Sequence, residues 1–282
     1  MSMAATETPA GADPNDLEAR LVYAVDSGEK LINQTMEPGN LDRKVTGTYQ
    51  DHPMTVRNGR PLRDAFDLDL HGFVFVDHPT QVPDFYVPEN VENIYYPEAE
   101  KLLLQTTGAA RVHIFDHTLR HGDEADRKAR LVREPVRAVH NDYTEWSGPQ
   151  RVRDLLPDEA EELLKKRHGI VQIWRATNTP IEADPLCIGD ARSLDFADMI
   201  VAERRYPDRI GQTYRIQHNP KHEFYWFPKM TRDEAIVFKV FDSATDGRAR
   251  WTAHTSFVNP LSRAGAPPRE SIELRALVFW DD

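Results

Sequence analysis

Apolar residues in this chain fall mainly into short runs broken by polar residues, and only a few stretches carry helical spacing. Gly72-Phe73-Val74-Phe75-Val76-Asp77-His78, bounded by turn formers, predicts a buried strand, and Ala110-Arg111-Val112-His113-Ile114-Phe115-Asp116 alternates as a half-buried strand should. Further strands are predicted from Pro135 to Val139, leading into His140, and over Ile170 to Ala176, Leu186 to Ile188, Thr213 to Ile216, Phe224 to Phe227, Ile236 to Phe241 and Ser271 to Trp280. Thr46 to Asp51 followed by Met54 to Arg57 predicts a short hairpin. Helices are predicted over Leu17 to Ile32, Tyr96 to Thr107, Pro157 to His168 and, more briefly, Phe196 to Arg204. In the third of these, Asp158, Glu159 and Glu161 occupy the first turn, where carboxylates complement the helix dipole.

Many strands at short spacing with few helices predict a mainly β fold with flanking helices, an antiparallel sandwich or barrel rather than a parallel doubly wound sheet. No glycine-rich loop follows a strand to cradle phosphates, and no fixed-period repeat is present. Residues 1–16 read as a disordered tail and 17–282 as a single domain, with the β core over about 110–282.

Composition narrows the function. A hydrophobic fraction of 40% and a charged fraction of 29% suit an ordinary globular chain, and no stretch approaches the roughly 18 apolar residues of a membrane span. The N-terminus has neither the basic nor the apolar region of a secretory signal, so a cytoplasmic location is expected. A net charge of −11 without a long basic run argues against nucleic acid and leaves a small molecule as the expected partner. The single Cys187, set in Pro185-Leu186-Cys187-Ile188, excludes an internal disulfide framework and reads as a buried filler. Metal chemistry is therefore left to histidine and carboxylate.

His140-Asn141-Asp142 ends the strand Pro135 to Val139. In an extended chain residues i and i+2 point the same way, so the His140 imidazole and the Asp142 carboxylate can converge on one ion. A third ligand from a distant strand completes a two-histidine, one-carboxylate face with open positions, the arrangement that suits iron(II) and dioxygen. His254, late and strand-flanked, is the best candidate. Downstream, Arg269, Ser271 and Arg275 share one face of the last predicted strand, and a buried guanidinium beside a hydroxyl suits a carboxylate.

These stretches resemble the iron(II)/2-oxoglutarate dioxygenase superfamily with its double-stranded β-helix, a jelly-roll or cupin-like barrel. The likeness is closest to the hydroxylase/desaturase family that includes a cephamycin methoxylation protein and gibberellin desaturase-like proteins. It is carried by Val139 to Thr144, Ile173 to Ala176, His222 to Pro228, and Asp242 through Trp280 including His254 to Phe257, and it is loose over the N-terminal half. The resemblance implies iron(II) on His140, Asp142 and His254, an arginine on the last strand as anchor for the co-substrate 2-oxoglutarate, and use of dioxygen to hydroxylate or desaturate a small molecule, with secondary metabolism as its setting. Arg269 with Ser271 is preferred as the anchor, although Leu261 to Pro268 lengthens the spacing from His254, and Arg275 shares its face. The chain departs from the family at Ala176, where proline commonly follows Trp-Arg; it retains Asp142, which halogenases of the superfamily replace.

Tyr143, Trp174 and Arg175 are candidates for contacting substrate or an anionic group; Trp174 and Arg175, being consecutive on a strand, cannot both face inward. The aromatic run Phe224 to Phe227 reads as core, His218 and His222 as turn residues, and His113, His117 and His121 as strand residues rather than a zinc stripe. Two other functions share the same residues: a cupin-type metal enzyme that uses no oxoacid, and a catalytically silent β-barrel that binds a small ligand.

Overall fold

The computed structural model describes residues 13, 15–35, 43–130, 132–178, 180–207 and 209–281, so the predicted tail lies almost wholly outside the described residues. One ten-stranded sheet runs, in spatial order, β1 (Leu17–Ala24), β4 (Tyr49–Asn58), β12 (Phe224–Trp226), β9 (Leu186–Gly189), β14 (His254–Ser256), β7 (His140–Asn141), β11 (Ile210–Ile216), β10 (Met199–Arg205), β2 (Leu31–Thr35) and β3 (Arg43–Val45). A five-stranded sheet runs β5 (Phe73–Asp77), β13 (Glu234–Asp242), β8 (His168–Ala176), β15 (Glu270–Phe279) and β6 (Arg111–His121), all antiparallel. The sheets face each other as the predicted double-stranded β-helix.

Strict alternation explains why the layers assemble. Along β8, Ile170, Trp174 and Ala176 enter the core between the sheets, while Val171 and Ile173 face the other way. The inter-sheet core is completed by Phe73 and Phe75 of β5, Ile188 of β9, Tyr225 of β12 and Phe238 of β13. Helix α1 (Tyr96–Thr107) covers the outer face of the five-stranded sheet with Ala99, Leu102 and Leu103, and ends at Gly108 in the left-handed conformation (φ 65°). Each large apolar side chain so buried contributes about 1.5–3 kcal/mol. Among the described residues, no helix is long and apolar enough to cross a membrane.

Several predicted elements differ. The first predicted helix is strand β1: Leu17, Ala19, Leu21 and Tyr23 are buried while Glu18 and Arg20 are exposed, a period of two that the four-residue spacing of Leu17 and Leu21 conceals. The predicted hairpin is the single strand β4, continuous through Pro53 because β12 pairs only with Val56 to Asn58, so the missing N–H falls where no second neighbour needs it. Phe196 to Arg204 is a 3-10 turn (Phe196–Asp198), capped by the Asp195 carboxylate, followed by β10. Helix near residue 157 is displaced into α2 (Ser147–Leu155) and α3 (Ala160–Leu163), whose neighbouring Leu155, Leu156, Leu163 and Leu164 still reach the inter-sheet core. From Pro135 to Val139 the chain touches the sheet through an isolated bridge of Ala138 with Val22, and strand begins at His140.

A charge cluster staples the C-terminal end of β13. Asp242 accepts from Lys239 Nζ at 2.7 Å and Arg167 Nη2 at 2.7 Å, and Lys239 also contacts Asp69; Asp242 and Lys239 are fully buried. Burial raises the Asp242 carboxyl, but Arg167 and Lys239 outweigh it and hold the group below the usual carboxylate range. Its stabilising contribution is therefore complete above the unfolded carboxyl pKa and is lost as pH falls through the lower folded value. Asp242→Asn, which leaves two buried cations short of a partner, should cost about 3–5 kcal/mol at neutral pH. Urea midpoints for the variant and parent should converge on acidification; a pH-independent gap would contradict the ion-pair account.

Candidate metal centre

His140 and His254 are cross-strand partners in the antiparallel pairing of β7 with β14, so both side chains leave the ten-stranded sheet on the same face. Their ring centroids are 4.3 Å apart. Asp142, two residues beyond His140, returns to that face, and its Oδ1 lies 3.5 Å from His140 Nε2. One ligand atom from each of the three residues falls within 4.8 Å of the others. Asn141 between them points away: its amide donates to Tyr143 O (2.7 Å) and Val240 O (2.9 Å), and its Oδ1 accepts from Thr252 N (3.2 Å), which fixes the turn that aims Asp142.

Each imidazole is oriented by the backbone. His140 Nδ1 lies 2.8 Å from Ala138 O and His254 Nδ1 lies 3.1 Å from Thr252 O. A carbonyl can only accept, so each proton sits on Nδ1 and each Nε2 presents a lone pair to the interior. His254 Nε2 is buried without a partner among the described residues, an atom in need of a ligand. Burial, then the neighbouring His254, holds His140 well below the usual histidine range and so in its neutral, ligating form. Thr252 is pinned in turn by its hydroxyl on Gly72 O at 3.0 Å; Gly72 has φ 85°, and a Cβ there would lie 2.3 Å from that hydroxyl oxygen.

Asp142 is held from the facing sheet. Gln172 Nε2 donates to its Oδ2 at 2.7 Å and Arg275 Nε at 3.2 Å, leaving Oδ1 on the histidine side. Burial pushes the carboxyl up, but the charge of the Arg275 guanidinium beside it prevails, and Asp142 is held well below the usual carboxylate range. Two imidazole nitrogens and one ionised carboxylate oxygen suit a first-row divalent ion with open positions, and iron(II) fits this donor set.

Arg269, Ser271, Glu273 and Arg275 share the inward face of β15 and its entry, paired opposite Ala176, Trp174 and Gln172 of β8. Arg275 is saturated: besides Asp142 it meets Asp116 and Thr118, each at 3.0 Å, and Glu273. Arg269 is 2% exposed, with its guanidinium 5.4 Å above the Trp174 ring and one bond to Asp184 O at 2.9 Å. Its Nε and the Ser271 hydroxyl are buried without partners among the described residues. Burial, then Arg120, pushes the Arg269 guanidinium down to about 9, the mark of a cation lacking its anion.

The alternation of β8 sends Trp174 inward to the core and Arg175 outward, where its Nη2 donates to His78 O at 2.7 Å beside Tyr95 beneath α1; Arg175 thus stands away from the metal centre. Tyr143 lines the cavity beside Asp142. Cys187 is buried and its thiol pushed well up by burial, as a filler's should be. Gln172, Glu273, Arg120 and Thr118 escaped sequence analysis. Gln172 and Glu273 had a usable signal, as polar residues of inward parity in otherwise apolar strands.

The profile of a family described as Oxidoreductase/YMDC permease-like domain matches residues 21–279. The hydroxylase/desaturase asaB of Aspergillus flavus is 40% identical over 277 residues, which span 90% of this chain and 95% of the relative. The hydroxylase/desaturase efuI of Hormonema carpetanum is 32% identical over 83% of this chain and 85% of its own length. Among solved structures, the iron and alpha-ketoglutarate-dependent endoperoxidase NvfI superposes with a TM-score of 0.84 at 25% identity, over 95% of this chain and 99% of that one. An Aspergillus novofumigatus relative of that name is described as an Fe(II)/2-oxoglutarate-dependent dioxygenase and is 29% identical over 89% of this chain.

Gln172→Leu removes one of the two donors that aim Asp142. It should lower affinity for a divalent ion such as cobalt(II) about 10–100-fold, read by competition titration against a chelating dye. Unchanged affinity would show that Arg275 alone suffices.

Proposed function

The chain belongs to this family of hydroxylase/desaturases and Fe(II)/2-oxoglutarate-dependent dioxygenases, and from that premise we propose that His140, Asp142 and His254 bind its iron(II) while Arg269 and Ser271 hold its co-substrate. The enzyme is an oxidoreductase that uses iron(II), 2-oxoglutarate and dioxygen to hydroxylate or desaturate a small molecule. Iron(II), when bound, supplies the activation of dioxygen, with 2-oxoglutarate converted to succinate and carbon dioxide. The protein supplies position, charge and exclusion of water.

The observation that carries the assignment is the coincidence of three orphaned polar atoms inside one barrel: His254 Nε2, Arg269 Nε and Ser271 Oγ. Buried polar atoms are rarely left without partners, and these three have the characters that a metal ion and a carboxylate would satisfy. Arg269 is favoured over Arg275 because Arg275 already spends its guanidinium on Asp142, Asp116, Thr118 and Glu273. Arg275 instead acts as a positioning residue for Asp142. The indole of Trp174 floors the Arg269 guanidinium and keeps water from it.

His254→Ala should abolish both the weak visible band that iron(II) and 2-oxoglutarate form anaerobically and oxygen-dependent succinate release. Arg269→Leu should keep iron(II) affinity but raise the 2-oxoglutarate Kd about 10–100-fold, the loss expected of one buried charge-assisted contact. Arg275→Leu should instead weaken iron(II) binding itself. Interchanged outcomes for the two arginines would transfer the anchor to Arg275.

A further inference from the structure

A cavity of ≈ 190 Å³ opens from Asp142 and Arg275, and its wall is rich in arginine: Arg133, Arg151, Arg204, Arg209 and Arg275. Three carboxylates line it, and each is already engaged. Asp142 faces the metal centre, Asp116 pairs with Arg275 at 3.0 Å, and Asp154 accepts from Gln150 at 2.8 Å. Among the described residues no carboxylate pairs with Arg133, Arg151 or Arg204, and the Nε atoms of Arg151 and Arg204 are buried without partners. Arg133 and Arg204 line the same cavity, and burial and then the like charge of Arg204 both work against the charge on Arg133. Arg204 is also near enough to Asp142 to act on its charge.

Such a concentration of unmatched cations runs against the −11 net charge of the chain. It costs stability unless an anion arrives to share it. 2-Oxoglutarate does not fill this need if it is held by Arg269 and Ser271, which do not line the cavity. Aromatic surface adjoins the cations: Tyr143 and Tyr206 line the same wall, with Arg204 5.5 Å and Arg209 4.2 Å from the Tyr206 ring centroid. A second cavity of ≈ 650 Å³ shares Asp116 and Arg133 with the first and continues outward past Tyr86 and His117, giving room for the remainder of a larger molecule.

We propose that the substrate is a carboxylic acid, whose carboxylate is gripped by Arg133 and Arg204 so that the attached carbon skeleton lies beside the metal centre. This rests on the iron(II) and 2-oxoglutarate reading above and makes Arg133 and Arg204 its specificity-determining residues. A paired guanidinium seat matches the two oxygens of a carboxylate and leaves an ester or amide without its charge.

The test uses the anaerobic iron(II) and 2-oxoglutarate-saturated enzyme, titrated calorimetrically with 3-phenylpropanoate, the neutral 3-phenylpropanamide and 3-phenylpropyl phosphate. The acid should bind at least about tenfold more tightly than the amide. Arg133→Gln and Arg204→Gln should each collapse that ratio towards one while the visible iron and 2-oxoglutarate band persists, and Arg204→Lys should restore part of it. Equal binding of acid and amide, binding of neither, or a ratio that survives in either glutamine variant overturns the proposal; so does tighter binding of the phosphate. In those cases a band that persists in the parent enzyme leaves the iron and 2-oxoglutarate reading intact, whereas absence of the band overturns that reading first.

Discussion

Everything at this site depends on one backbone register, the antiparallel pairing that sets His140 opposite His254. Cross-strand partners share a face and sit at the closest spacing a sheet offers, so two imidazoles brought from remote parts of the sequence arrive with no further adjustment. A slip by one residue would turn one imidazole to the opposite face of the sheet. Strands β9 and β11, which pair with β14 and β7 on either side, guard the register because Ile188 and Arg215 are themselves matched to these histidines.

The facing sheet adds charge to that geometry. The inward residues of β15 alternate with apolar neighbours buried beneath α1, so this strand carries Ser271, Glu273 and Arg275 towards the site and Ile272 and Leu274 towards the helix. The interior therefore holds an ion network as well as a core. Arg275 lies at its centre, bracing Asp142 on one side and Asp116 on the other, while Arg269 Nε and the Ser271 hydroxyl have no partner among the described residues. Placing cations in a low-dielectric interior costs free energy that ligands can recover, so the protein without its ligands is expected to sit below its own stability optimum.

The strands were legible wherever burial on both faces or strict alternation left a run of its own, as at Phe73–Asp77 and Glu270–Phe279. So was the C-terminal end of the helix Tyr96–Thr107, closed by Gly108, whereas the helical run itself begins earlier, at Pro88. Misreadings cluster where two periods coincide. Leu17 and Leu21 fit both a helix turn and a strand alternation, and the segment after Phe196 begins with a capped turn before becoming a strand. At the proposed site, type and order single out His140, Asp142 and His254, whose ligand atoms the fold brings within 4.8 Å of one another, and they nominate Arg269 and Ser271 as the anchor. Gln172 and Glu273 stand out only as polar residues in apolar strands, and their partners, like those of Arg120 and Arg204, are fixed only when the sheets fold together.

The means by which the three proposed ligands are held differ in kind. Both imidazoles are steered by main-chain carbonyls, Ala138 O and Thr252 O, whereas the carboxylate is steered by two side chains, Gln172 and Arg275. Main-chain atoms are the same whatever residue supplies them, so the histidine half of the centre is buffered against substitution at Ala138, and at Thr252 it is exposed only through the hydroxyl that pins that residue to Gly72. The carboxylate half has no such insulation, and ordinary sequence drift at two positions is enough to retune it. Divergence among descendants of this scaffold has its easiest route through that side of the ion.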